Sequence, residues 1–380
     1  MCQKRTSEYK VAESIENIYT SGFSADSFLD IGRFMAETRH FVSLQAARAP
    51  FFVGVDLGGT NIKVGVVDDL GQSLSWLSIP TDVEKGPEDA ARRMGEAVHL
   101  AIREAGLKPS EVVRVGLGAP GGMDIPKGML TTVINLTGWN NFPIRDRVSH
   151  HCKMPVTFEN DANAAAYGEY WIGSGRDFNS MVLLTLGTGI GCGIIIGDLV
   201  VQGAHSHGGE AGHVIIDPSD DARMCGCGYR GHLEAYASAT GVIRRTQEAL
   251  DAGRASSLQT RVAAGEELTP KMVAAEAERG DAFSNEIISE TARYLGIGTV
   301  NTIHVVDPDV VLLGGAMTFG GKESPLGRKF LEQVTEVVRR LARPVLAKNT
   351  IIDFATLGGD AGYIGAAGVA RLEYLKHARS

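Results

Sequence analysis

The stretch FFVGVDLGGTNIKVGVVDDLG, residues 51–71, reads as an apolar strand, a glycine turn, a second apolar strand and a polar turn. The same order returns in MVLLTLGTGIGCGIIIGD, residues 181–198, so that Asp56-Leu-Gly-Gly-Thr60 falls beside Thr185-Leu-Gly-Thr-Gly189. A repeated strand–turn–strand hairpin implies two related α/β lobes, each presenting one glycine loop to a shared cleft. Glycine at such a turn lets successive backbone N–H groups converge on an anion, with no Cβ in the way. Gly58, Gly59 and Thr60 form one candidate phosphate loop, helped by Lys63; Gly187, Thr188 and Gly189 form the other. Neither glycine run has the spacing of a Walker A or dinucleotide-binding turn.

Outward from the first hairpin, residues 87–106 have helical spacing, with Ala90, Met94, Ala97, Val98, Ala101 and Ile102 on one face. VVRVGLGAPG (112–121) is a buried strand running into a loop. PVTFENDANAAAYGEYWIG (155–173) is a strand that ends at Glu159–Asn160–Asp161 and opens an alanine-rich helix. Beyond the second hairpin come a helix over 285–300, the strand DPDVVLLGG (307–315) and a terminal helix over 361–376. Gly314 and Gly315, just after that buried strand, suit either the approach of a nucleotide's adenosine or an ordinary turn.

Asp161 stands where a strand opens into the cleft. A carboxylate there can accept a hydroxyl proton, and Asn160 beside it can fix the hydroxyl. The competing role is helix N-cap, which Asp also favours. HGGEAGHVIIDPSDDARMCGCGYRGHLEAYAS (207–238) carries His213, Cys225, Cys227 and His232, four ligands of the type and number that close a tetrahedral zinc site. The plainer alternative is two free cysteines with incidental histidines. His205 and His207 are rival ligands, but their glycine-rich setting favours a surface or hinge role. Glu210 and Glu234 flank the cluster and are either acceptors for ligand hydroxyls or solvated charges.

The chain of 380 residues is too long for one ordinary core. Its formal net charge of −8 argues against nucleic acid or an anionic membrane as the main partner. There is no apolar run of spanning length, and five cysteines do not make a disulfide framework, which points to the cytoplasm. Residues 1–50 have no glycine clusters and one amphipathic segment, 27–37; they read as an N-terminal extension, peripheral or disordered.

Taken together, DLGGTNIK, ENDANAAAYGE, LGTGIGCGIII, GGEAGH and CGCGYRGHLEAYAS resemble the ROK family (repressors, open reading frames and kinases) of the actin-like ATPases, from about Phe51 to the C-terminus. The resemblance implies an actin-like (ribonuclease H-like) α/β fold: a small lobe of residues 51–159 plus 361–380, and a large lobe of 160–360 with a zinc-binding loop. It implies an ATP-dependent sugar kinase with Mg²⁺ and a structural Zn²⁺, in which Asp161 is the general base. Gly122, Asn135, Asn160, Gly189, Glu210, His213 and Glu234 would hold the sugar; Gly58, Gly59, Thr60, Asn61, Lys63, Gly187, Thr188, Gly189, Gly314 and Gly315 would hold the nucleotide. Glucose is the expected substrate, with N-acetylmannosamine, fructose or allose as alternatives, and homodimers are common among similar proteins. A sugar-responsive repressor is the reading from another class. Where the family usually has a third cysteine in C-x-C-G-x-x-G-C-x-E, this chain has His232.

Overall fold

A computed structural model describes residues 41–379 except 134 and 135. The segment 27–37 and Asn135 lie outside the described residues. The first hairpin is β1 (Phe51–Leu57) and β2 (Asn61–Val67), extended by β3 (Ser73–Pro80) on one side. On the other side come β4 (Val112–Ala119) and β5 (Val156–Asn160), giving the order β3-β2-β1-β4-β5. β2 and β3 run antiparallel, while β1, β4 and β5 are parallel. The second hairpin, β6 (Ser180–Leu186) and β7 (Ile190–Ile196), starts a sheet with the same plan. There β8 (Leu199–Val200), β9 (Val310–Gly314) and β10 (Ile351–Phe354) complete the order β8-β7-β6-β9-β10. Each five-stranded sheet has one strand antiparallel to both its neighbours, β2 in the first and β7 in the second, so the two sheets repeat one plan, as the two hairpins implied, and agree with the actin-like fold that the resemblance implied.

The helices explain the unusual sequence around Asp161. α1 (Pro87–Glu104) covers the first sheet with Ala90, Met94, Ala97, Val98, Ala101 and Ile102, all buried. α2 (Asp161–Trp171) and the terminal helix α3 (Ala361–Arg379) pack closely against each other, and α3 also lies on β1 and β4. A Cβ on Gly54 or Gly116 would strike the α3 carbonyls of Tyr363 and Ala366, and one on Gly365 would strike the Ala164 carbonyl of α2. Backbones this close tolerate only glycine and alanine. The alanine run of α2 is therefore a packing requirement. At the far end of α2, buried Glu169 accepts the backbone N–H groups of Thr356 and Leu357, at 2.9 and 2.6 Å, and that of Ser174 at 3.0 Å. It ties the helix to the turn leading into α3.

Residues 41–50, which the sequence groups with the extension, lie on the first sheet. Val42 N–H donates to Ser73 O at 3.0 Å, Asp69 N–H donates to Arg48 O at 2.9 Å, and Arg48 N–H donates to the buried Asp68 carboxylate at 2.9 Å. Ala47 packs against the core. Deleting residues 1–40 keeps these contacts and is expected to preserve activity. Deleting 1–49 removes an N–H donor from a buried carboxylate and should cost about 1–2 kcal/mol more than deleting 1–40, a further drop of about 2–3 °C by calorimetry. Equal melting temperatures for the two truncations would refute this.

Among the described residues, no helix is long and apolar enough to cross a membrane.

Candidate active site and metal cluster

Asp161 is the first residue of α2, where β5 ends, and the cap belongs to its neighbour. Asn160 Oδ1 accepts the N–H groups of Ala162 at 2.9 Å and Asn163 at 3.1 Å. That leaves Asn160's amide NH₂ to donate to a ligand hydroxyl. Asp161 Oδ1 accepts the adjacent Ala162 N–H at 2.8 Å. The Asp161 carboxyl is pushed up to about 7, first by burial and then by the negative charges of Asp56 and Glu210. A carboxylate with a pKa near neutrality, at a helix start already capped by another residue, is well suited to take a proton.

Asp56, the first residue of the DLGGT turn, is the feature that reading glycines alone passes over. Burial also pushes its carboxyl up, opposed by the charge of Lys63. It lies against α3, where a Cβ on Gly362 would collide with its carboxylate. The signal available in the sequence was its place: a charged residue near the end of an otherwise apolar strand, one residue before a glycine turn. The turn itself is closed by Gly58 N–H donating to Asn61 O at 3.0 Å, and Gly59 and Thr60 are exposed at its tip. Thr81 secures it from below through Gly58 O (2.7 Å) and Thr60 O (2.8 Å). Lys63 donates to Gly359 O at 2.6 Å, bridging the first hairpin to the turn before α3.

The second turn closes through Gly187 N–H to Gly189 O at 3.0 Å. The start of the helix Ala239–Asp251 grips it: Ala239 N–H donates to Gly187 O at 2.9 Å and the Thr240 hydroxyl to Thr188 O at 2.9 Å. Gly315, with φ of 90°, packs on the backbone of Leu186, which brings Gly314 and Gly315 beside this turn. The loop from Gln202 to Glu210 crosses to the first lobe, where Ile125 N–H donates to Ser206 Oγ at 3.0 Å. His207 Nε2 there lies 3.5 Å from where a Cβ on Gly122 would sit. His205 and His207 are exposed and outside the metal quartet, as a surface position requires.

His213, Cys225, Cys227 and His232 place one ligand atom each within 4.8 Å of one another. The Nδ1 atoms of the two histidines are 3.3 Å apart, Cys227 Sγ is 3.2 Å from His232 Nδ1, and Cys225 Sγ is 3.8 Å from His213 Nδ1. The edges of a tetrahedron around zinc would be about 3.3 Å between nitrogens and about 3.6 Å between nitrogen and sulfur, from the usual bond lengths. The donor set and its spacing therefore fit that ion. With Nδ1 turned to the cluster, His213 directs Nε2 towards Glu210, 3.8 Å from its carboxylate. Glu234 connects the cluster to the second hairpin: Oε2 accepts Ile190 N–H at 2.9 Å, and Oε1 lies 3.5 Å from Cys225 Sγ. A Cβ on Gly189 would overlap Glu234, so only glycine lets this carboxylate approach the turn.

The ROK family profile matches residues 52–373. A glucokinase from Halalkalibacterium halodurans is 34% identical over 315 residues, which is 83% of this chain and 93% of that protein. The crystal structure of a ROK family glucokinase from Streptomyces griseus in complex with glucose and AMPPNP is 32% identical, covers 85% of this chain and 99% of its own, and superposes with a TM-score of 0.67. A xylose repressor from Caldicellulosiruptor bescii is 28% identical over 76% of this chain and 70% of the repressor.

Proposed function

The chain belongs to the ROK family and is an ATP-dependent sugar kinase; we propose that it phosphorylates a hexose, glucose first among them, with Asp161 as general base. The observation that carries the reading is the Asp161 carboxylate itself, at a helix start whose cap is Asn160 and with a pKa raised to about 7. The glucokinase relatives support glucose among the hexoses. A repressor has no need of a proton acceptor so placed between two glycine turns.

Phosphoryl transfer requires alignment, charge stabilisation and removal of the hydroxyl proton. Asn160, Glu210, His213 Nε2 and Glu234 would hold the sugar hydroxyls, with Gly122 and Gly189 allowing close approach. Asp161 would take the proton of the attacking hydroxyl. The N–H groups of Gly59, Thr60, Thr188 and Gly189 would receive the phosphates, and Gly314 and Gly315 would flank the nucleoside. Asp56 and Asp161 form a site with surplus negative charge, the condition that a divalent cation relieves; Asp56 is the residue that would hold Mg²⁺, whose chemistry is to neutralise charge on the phosphates. His213, Cys225, Cys227 and His232 would hold a structural Zn²⁺ that closes the loop carrying Glu210 and Glu234. Among the described residues no cysteine is in a disulfide, and Cys152 and Cys192 are buried thiols, which agrees with action in the cytoplasm.

ADP release measured over a panel of hexoses and N-acetylhexosamines tests the substrate. The highest kcat/KM is expected for glucose; a tenfold preference for N-acetylmannosamine, fructose or allose would overturn that choice, and no ATP turnover with any sugar would overturn the kinase.

A further inference from the structure

Directly before Asn160 and Asp161 stands Glu159, 1% exposed and outside every role described above. Its Oε1 accepts Asn160 N–H at 2.8 Å and the Asn163 amide at 3.0 Å, and its Oε2 accepts the amide of Gln202. Among the described residues all three partners are neutral donors. A buried carboxylate among neutral donors is costly compared with an apolar side chain of the same size, so stability alone does not account for it.

Gln202 gives the arrangement a direction. It begins the loop that ends at Glu210, and its own carbonyl accepts Gly208 N–H at 2.7 Å, closing that loop on itself. The tip of the loop reaches the first lobe through Ser206 and His207. Asn163 Oδ1 is buried without a hydrogen-bond partner and lies 4.0 Å from where a Cβ on Gly209 would sit, so the spare acceptor of the cluster also faces this loop. The β5–α2 junction and the Glu210 loop come from distant parts of the sequence, and Glu159–Gln202 is a direct side-chain link between them.

We propose that Glu159 is a positioning residue: through Gln202 it holds the Glu210 loop in register with Asn160 and Asp161, so that sugar hydroxyl and proton acceptor meet at the required distance. This rests on the sugar-kinase reading of the same site. Displacement of a reacting group by about 1 Å can cost on the order of 10²-fold in rate, so a link of this kind acts on turnover and sugar binding together.

The test uses Gln202→Leu, Glu159→Leu, their double variant and Glu159→Gln in the full-length protein. Gln202→Leu breaks only the link, leaving Glu159 on Asn160. It should raise the sugar KM about tenfold and lower kcat severalfold, with the ATP KM unchanged. The effects of the two Leu variants should not add, since both remove one interaction. Glu159→Gln should recover most activity, because a rotated Gln202 amide can accept from the new side chain. A wild-type sugar KM and kcat in Gln202→Leu would overturn the proposal, as would additive effects. If Glu159→Leu fails to fold, Gln202→Leu and Glu159→Gln decide alone. Sugar dissociation constants from tryptophan fluorescence separate the two layers: absent ADP release in wild type would refute the kinase reading, whereas unchanged sugar affinity in Gln202→Leu would refute the link.

Discussion

Replacing Asp161 with Asn should lower turnover by about 10²-fold or more while leaving sugar affinity within a few-fold of wild type. The amide keeps the side chain's size and can still accept the Ala162 N–H that Asp161 Oδ1 takes at 2.8 Å, so α2 should start as before. Its cap is supplied by Asn160 in either case. What the amide lacks is a basic oxygen at neutral pH. Wild-type kcat/KM should therefore rise with pH through a midpoint near 7, where the Asp161 carboxyl ionises. The Asn variant should lose that limb of the profile.

The same residue makes a prediction about stability with a definite sign. Burial and the neighbouring charges raise the folded-state pKa of Asp161 from an ordinary 3.8 to about 7. Between those values the folded protein binds a proton that the unfolded chain releases, so this group's contribution falls as pH rises through the window. Asn carries no such penalty. Asp161→Asn should melt at the same temperature as wild type near pH 4 and at a progressively higher one up to about pH 7, with the difference levelling beyond. A variant less stable than wild type at pH 8 would show that Asp161 is a structural cap after all. The expected gain in stability with loss of turnover is the usual trade at a strained site.

How far the sequence carried this depended on whether the needed information was local. The two glycine hairpins are local patterns, and so each lobe's first strand pair is legible from Phe51 to Val67 and from Ser180 to Ile196. The metal quartet is nearly local, since Cys225, Cys227 and His232 share one loop and His213 is brought in by the Ile215–His232 bridge. Choosing between base and cap for Asp161 was not, because both roles share one position and only the hydrogen bonds of Asn160 separate them. Glu159 reads as part of a motif, but Gln202 carries no mark of its own; their link exists because a loop after β7 folds back over the end of β5. Residues 41–50 lack glycine clusters and so look foreign to the lobes, although the Arg48 backbone N–H donates to the buried Asp68 carboxylate. Asp56 had a positional signal, yet its closeness to Asp161 is a property of the folded cleft.

The second large effect should come from His232. If the proposed quartet holds zinc, replacement by Ala removes one of its four ligands, and zinc content should fall from close to one ion per chain to a small fraction after dialysis against a chelator. The sugar KM should then rise about tenfold or more, because the metal loop carries Glu234 and orients His213. The ATP KM should move much less: the second glycine turn keeps its own anchors, Ala239 to Gly187 O and Thr240 to Thr188 O. His232→Cys should retain both metal and activity. His232 approaches the cluster through Nδ1, the ring nitrogen nearer the backbone, which reaches only one bond further than a cysteine sulfur. The longer zinc–sulfur bond, about 2.3 Å against 2.0–2.1 Å for nitrogen, makes up part of the difference. Had the ligand been Nε2, on the far side of the ring, the same replacement would leave a gap too wide for a thiolate to close. Metal analysis alongside sugar and ATP titrations of the three proteins decides the question, and a metal-free wild type with full activity would refute the zinc assignment. Sugar affinity that follows zinc content across all three would instead place the metal in the construction of the sugar pocket, with the nucleotide turns standing independently of it.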